Sequence, residues 1–213
     1  MSEHDKAEVL TEIQRRRIGA IIRTKDSQLA DDAMTAAVAG GFRMVEFTLT
    51  TPDALRLISQ FSARPDLLVG AGTVLTPQEA RDAVKAGARF LVSPVTDPAV
   101  IAEANRLGAV CIPGACTPTE MLTAHRAGAD LVKLFPAPAD VAGFVTSVLG
   151  PLPFLRIYPT AGITVENFID ILRAGAAGVG FVRTLFVPGD LAAGNFSAIE
   201  ARAAAIVQRL AES

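Results

Sequence analysis

The sequence is poor in the residues that build metal centres and disulfide frameworks. Among 213 residues there are two cysteines, Cys111 and Cys116, and two histidines, His4 and His125. Two cysteines do not make a disulfide framework, which favours a reducing compartment and a cytoplasmic location. A histidine-rich metal site is excluded, although carboxylates could still hold Mg²⁺. We predict neither a metal nor a cofactor.

The chain also lacks long apolar runs and an excess of basic charge. No apolar run approaches the length of about 18 residues that indicates a membrane-spanning helix. The charged segment 1–17 has no apolar region of the kind found in signal peptides. Lys and Arg number 20 against 22 Asp and Glu, so the formal charge is −2. Since binders of nucleic acid or membrane surfaces need a basic excess, we expect neither partner.

What the chain has is a repeated pattern of short apolar runs, each followed by a turn and an amphipathic, alanine-rich stretch. Continuous apolar runs of this length are typical of parallel strands buried on both faces. We predict strands over 18–22, 44–49, 67–69, 90–92, 109–112, 131–135, 154–158 and 178–182. We predict helices over 27–40, 52–63, 77–87, 97–107, 118–127, 139–149, 165–174 and 196–211, with an extra helix over 5–17.

Local signals support these units. Thr76, Pro77 and Glu79 offer an N-cap, a proline in the first turn and a capping-box carboxylate, and the same pattern recurs over 117–120. Eight βα units predict an α/β fold, a closed (β/α)₈ TIM barrel with an N-terminal helix, as a single domain over 1–213. An open doubly wound sheet is the alternative.

Lys133 is the sharpest chemical feature. It lies inside the predicted strand 131–135 of a chain with only four lysines against sixteen arginines. Burial favours the neutral amine, which can attack a ketone and form a Schiff base. The structural alternative is a lysine that extends to the end of the barrel or pairs with a carboxylate.

Glu46 lies in the predicted strand 44–49, so both side chains could point into one barrel. A carboxylate there could pair with Lys133 or transfer protons. Active sites of these barrels lie where the strands end, and three such places contain glycine. The loop 70–73 ends in Thr73, which could bind a carboxylate. The segments 159–162 and 178–180 end the last two strands, whose loops often build an anion site in such barrels.

Six segments together resemble a known family. Val-Glu-Phe-Thr-Leu-Thr (45–50), Gly-Ala-Gly-Thr-Val-Leu (70–75), Ser-Pro (93–94), Ile-Pro-Gly (112–114), Val-Lys-Leu-Phe-Pro (132–136) and Pro-Thr-Ala-Gly (159–162) occur in that order. Between residues 18 and 188 the chain closely resembles the 2-keto-3-deoxy-6-phosphogluconate (KDPG) and 4-hydroxy-2-oxoglutarate aldolases. The resemblance implies a metal-free, usually trimeric class I aldolase. Such an enzyme cleaves a 2-keto-3-deoxy-4-hydroxy acid, most commonly KDPG, to pyruvate and an aldehyde, here glyceraldehyde 3-phosphate.

The resemblance also implies roles for individual residues. Lys133 matches the Schiff-base lysine and Glu46 the general acid/base. Thr73 and Thr160 match positions near the pyruvyl carboxylate, and Pro94 and Phe135 match pocket residues. Arg23 matches an arginine of some members, whereas others carry an arginine where this chain has Thr50. The predicted substrate-binding residues are Arg23, Thr50, Gly72, Thr73, Pro94, Phe135, Thr160, Ala161, Gly162 and Arg183.

The chain departs from the family at its distal anion site. Ala161 and Gly162 stand where the family usually has two glycines, and Val182 and Arg183 where it usually has a Gly-Ser pair. The added side chains crowd a phosphate cradle, while Arg183 adds a bidentate cation. Three interpretations stay open for Arg183. It holds phosphate; it holds another anion, the sulfonate of 2-keto-3-deoxy-6-sulfogluconate or the carboxylate of 4-hydroxy-2-oxoglutarate; or it lies at the surface or a subunit interface.

Two other classes of protein fit the same barrel. A phosphosugar isomerase or epimerase would use Lys133 only as a positive charge and would form no imine. A non-catalytic ligand-binding barrel would contain Lys133 and Glu46 as a buried salt bridge, which would be costly to break.

Overall fold

The computed structural model describes residues 3–213, with side chains from residue 5 onward, so the side chain of His4 lies outside it. Strand segments are β1 (Ile18–Ile22), β2 (Met44–Thr48), β3 (Leu68–Gly72), β4 (Phe90–Val92), β5 (Val110–Ile112), β6 (Gly114–Ala115), β7 (Val132–Leu134), β8 (Ile157–Pro159) and β9 (Val179–Phe181). Helices are α1 (Glu3–Arg16), α2 (Ser27–Ala39), α3 (Ala54–Ser62), α4 (Pro77–Lys85), α5 (Pro98–Arg106), α6 (Pro118–Arg126), α7 (Val141–Leu149), α8 (Phe168–Arg173), α9 (Pro188–Ala193) and α10 (Phe196–Ala211).

The strands pair in parallel around a ring. Six of them run in the order β5-β4-β3-β2-β1-β9 and three in the order β6-β7-β8. Pro113 alone separates β5 from β6, because proline has no N–H for the ladder. At the other junction the Ala177 amide donates to the Ile157 carbonyl at 2.9 Å. The predicted (β/α)₈ barrel is confirmed.

Several elements differ from the sequence-based expectation. The segment β6 was not predicted as separate from β5, and the helix expected over 165–174 is α8, which begins three residues later. The strand expected over 154–158 is β8, three residues later, because the segment before it turns on the surface and leaves Phe154 half exposed. The short helix α9 was not predicted. It has only six residues and begins at Pro188, so it offers too short an apolar repeat to be recognised.

The N-terminal helix α1 closes one end of the barrel. Val9 and Ile13 are buried against the lower interior, where Met44, Leu68, Phe90, Val110, Leu131 and Tyr158 pack together. An ion pair of 2.9 Å between Lys6 and Asp130 fixes α1 to the segment before β7. The opposite end, at the carboxyl ends of the strands, is left for a ligand.

Capping boxes at the starts of α4 and α6 stabilise the ends of the short loops at that open end. Both predicted capping boxes are confirmed: Thr76 accepts from the Glu79 amide at 3.1 Å, and Thr117 accepts from the Glu120 amide at 3.2 Å. Each cap satisfies amides that the first helical turn leaves unpaired. No helix within residues 3–213 has the length and apolar character needed to cross a membrane.

Candidate active site

Lys133 lies at the centre of β7, between β6 and β8, with only 6% of its surface exposed. Burial lowers the pKa of its ammonium group below the usual range. The negative charge of Glu46 opposes this shift, and the positive charge of Arg23 adds to it. The lowered pKa favours the neutral amine, which is the nucleophilic form, more than in an exposed lysine.

Glu46 lies at the centre of β2 and is 3% exposed. Its carboxylate sits over Gly72 on the neighbouring strand: a Cβ at position 72 would lie 2.8 Å from the Glu46 Cδ and closer still to Oε1. Any side chain at position 72 would therefore displace the carboxylate. Burial raises the pKa of Glu46, and the charges of Lys133 and Arg23 partly offset that rise.

Lys133 and Glu46 influence each other without forming a salt bridge. No ion pair within 4.0 Å joins them, and neither side chain has a hydrogen bond to another described residue. The Lys133 Nζ lies 5.1 Å from the centre of the Phe135 ring. The pair therefore lacks the contact that a purely structural salt bridge requires, and both polar groups are available to a ligand.

A cavity of about 310 Å³ opens next to Lys133 at the carboxyl ends of the strands. Its wall brings together seven of the predicted site residues: Arg23, Lys133, Phe135, Thr160, Ala161, Gly162 and Arg183. In this size range a cavity holds a small ligand. Three cations and no carboxylate line the described wall, so the cavity favours an anionic ligand.

Thr73 is joined to this cavity through Arg23, whose Nη2 donates to the Thr73 Oγ1 at 3.3 Å. Thr73 follows the last residue of β3 and has a φ of 59°, in the left-handed region that disfavours a β-branched residue. Such strain is concentrated at functional sites. Arg23 and Thr73 thus form a cation and a hydroxyl beside the Lys133–Glu46 pair.

The far end of the cavity is formed by the loops after β8 and β9. The backbone amides of Ala161, Gly162, Arg183 and Thr184 donate to no acceptor within residues 3–213. The Thr184 hydroxyl donates to the Ile163 carbonyl at 2.8 Å and so ties the two loops together. Unpaired amides from two adjoining loops are the usual elements of an anion site in these barrels.

Five predicted site residues lie outside the cavity wall. Glu46, Gly72 and Thr73 lie on or next to β2 and β3, whereas Thr50 and Pro94 line other pockets. Thr50 lines a separate surface pocket with Asp53, Arg56 and Glu79, and its hydroxyl is 3.1 Å from that of Thr48. Pro94 lines a third pocket that shares only Phe135 with the main cavity. Binding roles for Thr50 and Pro94 stay predictions. Of the two positions at which members of the family carry an arginine, Arg23 lines the cavity and Thr50 does not.

Sequence reasoning missed two supporting residues. Tyr158 is buried below the pair, its hydroxyl donates to the Val179 carbonyl at 3.1 Å, and burial raises its pKa. Its place in a predicted strand gave no sign that its ring would fill the barrel. The loop role of Thr184 was missed because it depends on a contact with Ile163, 21 residues away.

Cys111, Cys116 and His125 do not line the cavity beside Lys133. Cys111 is buried in β5, and burial, followed by the charge of Asp130, raises its pKa to about 12. Cys116 is free and lines the pocket of Pro94. His125, on α6, packs 4.9 Å from the Phe154 ring. In the part of the chain that the structure describes, no three His, Cys, Asp or Glu residues group as metal ligands.

Fold and site together define a barrel enzyme whose cavity, at the carboxyl ends of the strands, is lined by a buried lysine that feels the charge of a buried carboxylate on β2. The family model of the KDPG and KHG aldolases, where KHG is 4-hydroxy-2-oxoglutarate, matches residues 9–202. The chain belongs to this family, so it is an aldolase, a carbon–carbon lyase. The isomerase and non-catalytic alternatives are thereby excluded.

Individual proteins that are similar to this chain are also aldolases. A probable 2-dehydro-3-deoxy-6-phosphogalactonate aldolase of Rhizobium meliloti (strain 1021) is 36% identical over 173 residues, covering 80% of this chain and 82% of the relative. A 2-dehydro-3-deoxy-phosphogluconate aldolase of Treponema pallidum (strain Nichols) is 34% identical over 197 residues, or 89% and 91%. KDPG aldolase from Legionella pneumophila, solved with pyruvate captured as a covalent carbinolamine, superposes with a TM-score of 0.80 at 30% identity, covering 89% and 93%.

Proposed function

We propose that this chain is a pyruvate-forming class I aldolase that acts through an imine on Lys133. The observation that carries the proposal is the buried but unpaired Lys133 amine beside the Glu46 carboxylate, at the wall of an anion-attracting cavity. The carbinolamine in the Legionella pneumophila enzyme supports the same chemistry here.

The first half of the reaction makes an electron sink. The neutral Lys133 amine attacks the C2 ketone of the substrate, and the resulting carbinolamine loses water to form a protonated imine. Glu46, directly or through a water molecule, removes the proton of the C4 hydroxyl. The C3–C4 bond breaks, its electrons pass to the imine to give an enamine, and the aldehyde leaves.

The second half returns the enzyme to its starting state. Glu46, now protonated, gives its proton to C3 of the enamine. Water then adds to the imine and releases pyruvate and the free Lys133 amine. We propose that Arg23, Thr73 and Thr160 bind the substrate C1 carboxylate throughout, which the Arg23–Thr73 hydrogen bond and the presence of Arg23 and Thr160 on the cavity wall support. This mechanism requires no metal and no cofactor.

For the substrate we propose KDPG, which would yield glyceraldehyde 3-phosphate. The unpaired amides after β8 and β9 and the Arg183 side chain support an oxyanion at the distal end. Because Arg183 accepts other oxyanions as readily, 2-keto-3-deoxy-6-sulfogluconate and 4-hydroxy-2-oxoglutarate are the alternatives. The name of the Rhizobium meliloti relative suggests 2-dehydro-3-deoxy-6-phosphogalactonate as a fourth candidate substrate.

We further propose a cytoplasmic homotrimer of a single barrel domain. Free thiols at Cys111 and Cys116 fit a reducing compartment. Leu55, Leu75 and Val95, from three consecutive βα units, expose 40%, 45% and 52% of their surfaces and offer an apolar contact to a second copy. Sedimentation equilibrium should give three times the chain mass, and Val95→Glu should lower it; a monomeric wild type would overturn the trimer.

The test of the activity is pyruvate release, coupled to lactate dehydrogenase, from the four candidate substrates: KDPG, 2-keto-3-deoxy-6-sulfogluconate, 4-hydroxy-2-oxoglutarate and 2-dehydro-3-deoxy-6-phosphogalactonate. The proposal expects release from KDPG with the highest kcat/KM, and loss of release in Lys133→Met but not in the matched variant Lys85→Met. Faster cleavage of another acid would replace KDPG as the substrate. Release from none of them would overturn the proposed activity.

A further inference from the structure

The Tyr158 side chain crosses the inside of the barrel next to the Lys133–Glu46 pair. Tyr158 faces Lys133 in the pairing of β7 with β8, so both side chains point to the same side of the sheet. The Tyr158 hydroxyl donates to the Val179 carbonyl on β9 at 3.1 Å and lies 4.0 Å from the Met44 Sδ on β2. The side chain therefore spans the interior from β8 to β2, and only 1% of its surface is exposed.

Glycines make room for this side chain. A Cβ at position 19 would lie 2.5 Å from the Tyr158 hydroxyl oxygen, whereas the next atoms, in Met44, would be 3.7 Å away. A Cβ at position 178 would lie 2.8 Å from the Tyr158 Cε2 and equally close to the Arg17 carbonyl oxygen. Gly19 is not among the residues with positive φ, so the backbone does not require glycine there. The space over Gly19 is taken by the tyrosine.

Burial is the main influence on both members of the pair. It lowers the pKa of Lys133 and raises the pKa of Glu46. In the described chain, the charges that act on each of them are those of the other member and of Arg23, and these come second. Tyr158 lies close enough to respond to the same charge: burial, followed by Glu46, raises its pKa. The protonation of the pair therefore depends on how dry its surroundings are.

The space of the tyrosine ring would fill with water if the ring were removed. Cavities with purely apolar walls stay dry, whereas a site that offers a water molecule about two to four polar partners is hydrated. The vacated space would contain the freed Val179 carbonyl and would lie beside Lys133 and Glu46. Lys133 also lines the cavity of about 310 Å³, from which water can enter.

We infer that Tyr158 is a positioning residue that excludes water from the interior next to Lys133 and Glu46 and so keeps both groups desolvated. The ring supplies this effect, and the hydrogen bond to the Val179 carbonyl holds the ring across the barrel. Tyr158 does not line the cavity, so it acts through the pair and not on the substrate. This inference rests on the proposed function, because it concerns the lysine that forms the imine.

The test is the pH dependence of imine formation with pyruvate. Enzyme and pyruvate are mixed at a series of values from about pH 6 to about pH 10 and quenched into borohydride at one fixed pH, and the labelled fraction is measured by mass spectrometry. In Tyr158→Ala we expect the midpoint to move to higher pH and the rate at neutral pH to fall about tenfold or more, since a hydrated lysine keeps its proton more readily. The limiting rate at high pH should change far less, because the amine itself is intact.

Two other variants separate this role from a purely structural one. Tyr158→Phe keeps the ring and should keep the wild-type profile, although its melting temperature should fall with the loss of the hydrogen bond to the Val179 carbonyl. Phe42→Ala is the matched control, because it removes another fully buried ring, which packs on Phe181 with ring centres 5.9 Å apart. It should lower the melting temperature about as much as Tyr158→Ala and leave the pH profile unmoved.

Each outcome has one meaning. An unmoved profile in Tyr158→Ala, or an equal shift in Phe42→Ala, overturns the inference. A shift in Tyr158→Phe as large as in the alanine variant overturns the role of the ring and with it the inference. If Tyr158→Ala does not fold, Tyr158→Leu, which leaves the space over Gly19 empty, is held to the same profile. A wild type that forms no imine at any pH overturns the proposed function instead, since that result does not depend on Tyr158.

Discussion

The substitution Gly72→Ala should lower the catalytic rate while leaving the stability of the fold almost unchanged. A Cβ at position 72 would lie 2.8 Å from Cδ and 3.1 Å from Cγ of Glu46, so the carboxylate must move while the β3 backbone stays in place. A displacement of about 1 Å in a catalytic group costs about 100-fold in rate. We therefore expect kcat to fall by about that factor.

Stability should change little in the same variant. Gly72 is not among the residues with positive φ, so alanine brings no backbone strain. A glycine-to-alanine change at a compatible position stabilises by about 0.4–1 kcal/mol through the unfolded chain, which offsets part of the cost of moving Glu46. The matched variant is Gly70→Ala, whose Cβ would lie 2.5 Å from Cδ2 of Phe90 and closer still to Cε2 and Cζ of that ring. That overpacking should cost about 1–3 kcal/mol in urea unfolding.

The assay is steady-state pyruvate release with parallel urea unfolding of both glycine variants. If Gly72→Ala acts through Glu46, the double variant with Glu46→Gln should be no slower than Glu46→Gln alone, because the two changes disable one group. Wild-type kcat in Gly72→Ala, or a double variant far slower than either single one, would refute the placement of Glu46 over Gly72.

Three other predictions follow from charge and capping. Imine formation should rise with pH until Lys133 is neutral. Arg23→Gln should move this profile to higher pH, because the Arg23 charge lowers the pKa of Lys133; an unmoved profile would contradict that influence. Hydrogen bonds from Arg106, and then Arg81, hold the pKa of Glu103 at about 2 instead of 4.5. A lowered folded-state pKa stabilises above pH 4.5, and this stabilisation disappears as pH falls toward 2. Thermal melts across that range should fall less steeply in Glu103→Gln than in the wild type, and equal slopes would count against the pairing. Thr117→Ala should lose about 1 kcal/mol of unfolding free energy with its cap. Thr119→Ala, two residues later at a position that caps nothing, should not, and equal losses would contradict the capping role.

Local patterns in the sequence were sufficient for much of the fold. Continuous apolar runs and the capping boxes at Thr76 and Thr117 depend on neighbours within a few residues, and these elements were predicted close to their bounds. The strand β8 was misplaced because Phe154 is apolar yet lies on a surface turn. The break at Pro113 and the helix α9 were missed because each spans too few residues to leave a periodic pattern.

The site was predictable in its chemistry but not in its contacts. Lys133 and Glu46 stand out because charged residues rarely occur inside apolar strands. That Glu46 lies over Gly72, and that Arg23 rather than Thr50 reaches the cavity, depends on strand register and side-chain direction across the barrel. Neither the strand register nor the direction of these side chains can be predicted from the neighbouring residues in the sequence.

The most direct test of the central claim is reductive trapping of pyruvate on the enzyme. Borohydride reduction in the presence of pyruvate, followed by peptide mass mapping, should place one reduced pyruvyl group on the peptide that contains Lys133, with matching loss of activity. Lys85→Met should be labelled like the wild type, and Lys133→Met should not be labelled. Labelling at Lys6, Lys25 or Lys85 instead, or no adduct at all, would contradict Lys133 as the imine-forming nucleophile.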